Sequence, residues 1–265
     1  MFSRSLRGTP ALQLGMPRLD FVDLETARTA PGLRLVLVGI LPSPWSEAAK
    51  GLFHAKRLPY RVVRFRNDDA ALAAWTGTHN APVVFYDDEP PRSGWKEIVE
   101  LAERLDGELS FAPGGVDLLH DLAGEDGLGW CGRLVMMHTG FESGGARGFP
   151  LPVAKYLAHK YGYSPDRMPH ARERITEILG RLDAMLASSG GDYLTGDRPA
   201  ALDIYAASFL TMVVGVTEQE CPALRPALRP ALEALREEAG ADVTDALRAF
   251  RMRVFERHLE WPIVL

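Results

Sequence analysis

Ser43-Pro44-Trp45-Ser46, then Ala81-Pro82-Val83-Val84 roughly forty residues later, then Arg92-Ser93-Gly94-Trp95: the order and spacing of these three stretches decide how the chain is read. A hydroxyl residue followed directly by proline suits a helix start, with serine at the N-cap and proline at the first helical position, where a missing N–H costs nothing. Pro82 opens the apolar run Pro82-Val83-Val84-Phe85-Tyr86, as a proline can at the first residue of a strand. Ser93 precedes a second helical pattern, although Glu97 falls one place late for a full S-x-x-E box. The spacing predicts two helix N-termini and one strand-initial proline converging on a single cleft.

Working outward, Leu35-Val36-Leu37-Val38 is a continuous apolar run before Gly39, the mark of a strand covered on both faces. After Pro42 the period changes: Trp45, Ala48, Ala49, Leu52 and Phe53 form the stripe of a helix lying on a sheet. Tyr60 to Phe65 supplies the next strand, and Asp68 to Trp75 a short helix with acidic capping. Asp87-Asp88-Glu89 turns the third strand into a brief fourth containing Pro90 and Pro91, which implies an edge. Trp95, Ile98, Val99, Ala102 and Leu105 mark another helix. The order βαβαββα predicts an α/β domain of thioredoxin type with a mixed four-stranded sheet over residues 34–110.

Beyond Gly114 strand signals vanish. Ile175 to Leu186 is amphipathic, Ala200 to Val214 is apolar nearly all round, and Val243 to Val254 keeps the helical period until Pro262. Residues 114–265 read as an all-α bundle. The Pro-Ala-Leu echo at Pro222, Pro226 and Pro230 reads as a proline-started helix entrance, because three units fall short of any solenoid. Residues 1–33 lack periodicity and read as an irregular extension.

With 265 residues, 46% hydrophobic and 25% charged, the chain can bury two cores. A net charge of -5 leaves no basic field for nucleic acid. Cys131 and Cys221 lack CxxC spacing, which favours reduced thiols and a cytoplasmic reading, and no apolar stretch approaches a membrane span. Gly127-Leu-Gly129-Trp-Cys-Gly132 matches GxGxxG, but no strand precedes it, so these glycines read as helix breaks rather than a dinucleotide loop. The seven histidines show no metal-ligand spacing, and no metal is expected. Cys131, near Trp130, Met136 and Met137, reads as a buried apolar thiol.

Taken together, Pro42-Ser43-Pro44-Trp45-Ser46, Ala81-Pro82-Val83-Val84 and Gly191 to Ile204 resemble the serine-type cytosolic glutathione transferases, tau, zeta and omega among them, over about residues 34–215. The resemblance implies that Ser43 stands at the catalytic position. It implies a cis peptide before Pro82 and glutathione, as co-substrate, held by Asn80, Ala81, Pro82, Arg92 and Ser93. It places a small hydrophobic electrophile between the domains, against Trp130, Met136, Met137, His138 and Phe141, and implies a homodimer formed through the helix after Ser93 and the first all-α helix. Three positions depart from the pattern: Arg92 replaces a glutamate, Asn80 a lysine, and Ala200 the Ser or Thr that caps the buried helix. Two functions follow as alternatives, a glutathione-dependent transferase or a non-catalytic binding or scaffolding protein that uses the Arg92 cleft for another anion.

Overall fold

The computed structural model describes residues 19–107, 115–239 and 242–265. A mixed sheet with its covering helices leads into a helical bundle. The first layer comprises β1 (Asp20–Phe21), α1 (Leu24–Thr29), β2 (Leu33–Leu37), α2 (Pro44–Ala55), β3 (Tyr60–Arg64), α3 (Ala70–Thr76), β4 (Val83–Tyr86) and α4 (Trp95–Arg104). The bundle comprises α5 (Val116–Ala123), α6 (Leu128–Glu142), α7 (Leu151–Tyr161), α8 (Met168–Ser189), α9 (Ala201–Val214), α10 (Arg229–Ala239) and α11 (Asp245–His258).

The strands lie in the order β1-β3-β2-β4, with β1 and β2 parallel to β3 and β4 antiparallel to β2. Alternation along β2 explains its unbroken apolar run. Leu35 and Leu37 face the large core shared with α2, α4 and the bundle, while Val36 joins Val63, Val83 and Phe85 under Ala27 of α1 and Leu72 of α3. A fourth strand forms, but at the opposite edge from the one expected. After Asp87–Glu89 only a single bridge, Val84 with Arg92, is made. Pro90 and Pro91 cannot donate, so a ladder there cannot lengthen. The fourth strand is instead β1, and with α1 it lies inside the segment expected to be an irregular extension; the first eighteen residues of that extension, and the 110–114 boundary, lie outside the described residues.

Helix α9 is buried along almost its whole length, as its all-round apolar pattern requires. Its start is fixed by Asp203, whose carboxylate accepts from the N–H groups of Ala200 and Leu194, both at 2.7 Å. Asp203 at N3 thus makes the half of a capping box that meets the N-cap N–H, while Ala200 offers no oxygen to the first turn. Burial outweighs those hydrogen bonds and pushes the Asp203 carboxyl up to about 6. Pro226–Leu228 forms a 3₁₀ turn that leads into α10, the entrance expected from the Pro-Ala-Leu echo.

Among the contacts that join the sheet layer to the bundle, two flank α2. Trp45 of α2 sits between α6 and α9: its ring meets Phe209 edge-on at 5.2 Å, and its Nε1–H donates to the Ala123 carbonyl at 2.8 Å. Gly129 makes room for it, because a Cβ there would lie 2.6 Å from the indole and 2.5 Å from Phe209 Cε1. On the other side of α2 the segment after α11 folds back. Lys50 Nζ binds Glu47 at 2.9 Å, Glu260 at 3.0 Å and the Val264 carbonyl at 3.1 Å. Burial works against the Lys50 charge, but the two carboxylates outweigh it and hold the ammonium above its usual range.

Gly129→Ala should force the Trp45 and Phe209 rings apart and lower stability by about 1–3 kcal/mol, read as a shifted urea midpoint with changed tryptophan emission; an unchanged midpoint would show that the seam has slack. The second expectation concerns His54, beside Tyr60 and Lys50, whose imidazole is pushed down to about 4 by burial and then by the Lys50 charge. The unfolded chain takes up that proton near 6.5 and the folded one only near 4, so stability is full at neutral pH and falls as pH drops between them. His54→Leu should therefore remove about 2 kcal/mol of the loss measured between about pH 7.5 and about pH 5. Parallel wild-type and mutant pH profiles would refute it.

Candidate functional site

Sheet register decides which loops meet. Val36 pairs with Val83, so the chain leaving β2 runs beside Ala81 and Pro82. Val84 and Arg92 exchange backbone hydrogen bonds of 2.8 and 2.9 Å, which carries Ser93 and Gly94 back alongside Val83 and Pro82. The Val38 N–H donates to Ser46 Oγ at 3.1 Å and ties the first turn of α2 to this same end of the sheet. The sequence-predicted Ser43, Ala81, Pro82 and Ser93 thus lie toward one end of the sheet, and the Ala81–Pro82 peptide is cis.

Ser43 occupies the N-cap of α2, with φ −71° and ψ 122° and Pro44 following at N1. Its hydroxyl, expected to cap the helix, makes no side-chain capping bond. The free N–H groups of the first turn and the positive end of the helix dipole remain beside it. Ser43 is only 5% exposed, so approach is narrow. At the second helix the cap is Gly94, one residue later than expected. Its N–H donates to Glu97 Oε2 at 3.4 Å, and having no side chain it returns nothing to the first turn. Ser93 is left exposed at the mouth.

Arg92 neither faces the cleft nor lies loose in solvent. It is paired with Glu89, and Arg104 binds the same carboxylate at 2.6 and 2.8 Å. Those two guanidinium groups hold the Glu89 carboxyl below its usual range. The reason is the turn itself, which sets Glu89 three residues before Arg92 on the outer side of the single bridge. Asn80 is exposed, and its backbone N–H donates to Thr78 Oγ1 at 3.2 Å.

Toward the bundle the expected wall divides. Met136 and Met137 are fully buried. Trp130 is half-buried and meets Tyr161 edge-on at 4.7 Å, with Tyr161 in turn 6.4 Å from Trp45. His138 and Phe141 gather around Tyr163, with His138 Nδ1 2.9 Å from its hydroxyl and the Phe141 ring at 5.1 Å. Sequence reasoning missed Arg133, Tyr161 and Lys160 near this seam. The signal available was a lone arginine in the otherwise apolar stretch Leu128 to Met137. Burial pushes the Cys131 thiol up to about 12 and that of Cys221 up to about 11, which leaves both as protonated packing groups. Among the described residues no group of His, Cys, Asp or Glu could hold a metal ion, and no helix is long and apolar enough to cross a membrane.

Residues 165–238 match the family model for the glutathione S-transferase C-terminal domain. No curated protein sequence matches the chain. Among solved structures, a glutathione transferase from Pseudomonas putida, with one glutathione disulfide bound per subunit, superposes with a TM-score of 0.59 at 14% identity, over 87% of this chain and 90% of that one. A glutathione S-transferase domain-containing protein from Marinobacter aquaeolei VT8 gives 0.57 at 17% identity, over 84% and 98%. A β-etherase from Sphingobium sp. strain SYK-6 gives 0.51 at 14% identity, over 83% and 99%. The chain is thus similar in fold to these glutathione transferases, and its residues 165–238 carry the match to the C-terminal domain of that family.

Proposed function

We propose that the chain is a glutathione-dependent transferase, in which the thiolate of glutathione attacks a small electrophile in the seam between sheet and bundle. The observation that carries this reading is the meeting, at one sheet end, of a helix start whose serine hydroxyl makes no capping bond with the Ala81–Pro82 backbone and the exposed Ser93. Ala81 lies beyond the last paired residue of β4, so its backbone can meet the cysteinyl unit. In this reading Ser93 meets the γ-glutamyl carboxylate and Asn80 the glycyl end. A structure sharing this fold holds glutathione disulfide, which agrees with such a ligand.

The chemistry asked of Ser43 is modest. Moving a thiol from pKa ~8.5 to ~6.5 takes about 2.7 kcal/mol. A helix dipole supplies ~0.3–1 kcal/mol and a charge-assisted hydrogen bond ~1.5–3 kcal/mol, so the two together suffice. The thiolate sulfur then bonds to the electrophilic carbon as the leaving group departs with the displaced electron pair. The non-catalytic alternative rested on Arg92 as an anion receptor, and pairing with Glu89 removes that motive. A homodimer formed through α4 and α5, and a cytoplasmic location, complete the proposal.

Calorimetry tests it. Glutathione should bind below about 1 mM. Ser93→Ala should weaken it about three- to tenfold, while Arg92→Ala changes it less than about twofold. Ser43→Ala should keep most of the affinity but raise the pKa of the bound thiol by about 1 to 2 units, read from thiolate absorbance. Absence of heat at about millimolar glutathione would end the proposal.

A further inference from the structure

Arg133 is a buried cation without a counter-charge. It is 5% exposed, and no salt bridge or carboxylate faces it among the described residues. Its surroundings are aromatic and soft: the guanidinium carbon lies 5.9 Å from the Trp45 ring and 5.4 Å from the Phe149 ring, Nη1 lies 3.6 Å from Met136 Sδ, and the Tyr161 hydroxyl is its other polar neighbour. Every other buried Lys or Arg of the described residues has acids nearby: Lys50 has Glu47 and Glu260, Arg251 has Glu220, Arg34 has Asp87 and Asp88, and Lys56 has Asp106 and Glu103. Desolvating a guanidinium is unfavourable unless an anion answers it, so a site that breaks the pattern of the whole molecule points to an anion supplied from outside.

The surroundings add donors and no acid. Trp130 Nε1–H is buried with no hydrogen-bond partner, and its ring packs edge-on against Tyr161. Lys160, at the exposed end of α7, has its Nζ 5.6 Å from the Tyr161 ring. Two cations and an indole N–H therefore gather around Tyr161. That ring lies 6.4 Å from Trp45, which is two residues beyond Ser43.

We propose that Arg133 receives the carboxylate of the second substrate, with the Trp130 N–H and Lys160 as supporting donors, so that the electrophile is an aromatic or unsaturated carboxylic acid that itself carries the leaving group. The flat faces of Trp45, Trp130 and Tyr161 suit a conjugated skeleton, and the guanidinium fork suits a carboxylate. That this anion is the electrophile rests on the glutathione reading above; the anion site itself rests on Arg133.

The test is calorimetric titration of the full chain with trans-cinnamate and with its neutral isostere trans-cinnamamide, both without glutathione. The acid should bind at least about tenfold more tightly than the amide. Arg133→Gln should abolish that preference while leaving amide affinity unchanged, and Arg133→Lys should restore part of it. If Arg133→Gln does not fold, Trp130→Phe keeps the ring and removes the N–H, and should weaken the acid severalfold with no effect on the amide. Equal binding of acid and amide by the wild type, no binding of either at about 10 mM, an acid preference that survives in folded Arg133→Gln, or one undiminished in Trp130→Phe would overturn the proposal. Glutathione titrated into the same samples separates the two readings: an Arg133-dependent acid preference without glutathione binding refutes the transferase and leaves the anion site standing.

Discussion

The packing of α2 between the sheet and α9 is the constraint on which the rest depends. One face of this helix covers Leu35 and Leu37, and the other meets the bundle, where Gly51 lies so close to Leu259 and Ile204 that a Cβ would sit 2.5 and 2.8 Å from their methyl groups. Because the cleft begins at the first turn of α2, whatever docks this helix also positions Ser43. The Ser46 hydroxyl ties that turn to the end of β2, and Trp45 ties it to α5 and α9. A shift of the bundle against the sheet would thus move the serine and the seam together, which is how a rigid scaffold keeps a reactive position and its second pocket in register.

Charge inside the molecule follows the same economy. Lys50 and Arg251 are buried only in company, each against a carboxylate at 2.9–3.0 Å, and Asp203 is buried because two backbone N–H groups meet it. These arrangements add little net stability, since desolvation offsets most of the attraction, but removing one partner from any of them would strand the other. Arg133 stands apart, and it does so at the seam rather than in a structural clasp. On the surface, Arg92, Glu89 and Arg104 show the opposite case, an exposed network that fixes a turn without reaching the cleft.

How much of this was legible depends on how local the cause is. Helix starts, the strand-initial proline, the twice-covered β2 and the all-round apolar α9 are written in residue type and period, and each formed close to where the pattern put it. Ser93 was misread by one position because glycine at an N-cap leaves no side-chain mark. The edge strand at Pro90–Pro91 was misread because a run of two prolines permits an edge yet forbids its lengthening, and β1 was missed because two residues carry no period.

The sequence by itself determined the fold class and the two helix N-termini, because capping and periodicity act between residues a few places apart. Tertiary structure alone decided where each charge points. It turned Arg92 to Glu89, set the Asp203 carboxylate against the N–H groups of Ala200 and Leu194, and left Arg133 buried without an acid. The physical reason is that a charge is settled by what surrounds it in space, and partners separated by dozens of residues leave no trace in the local pattern.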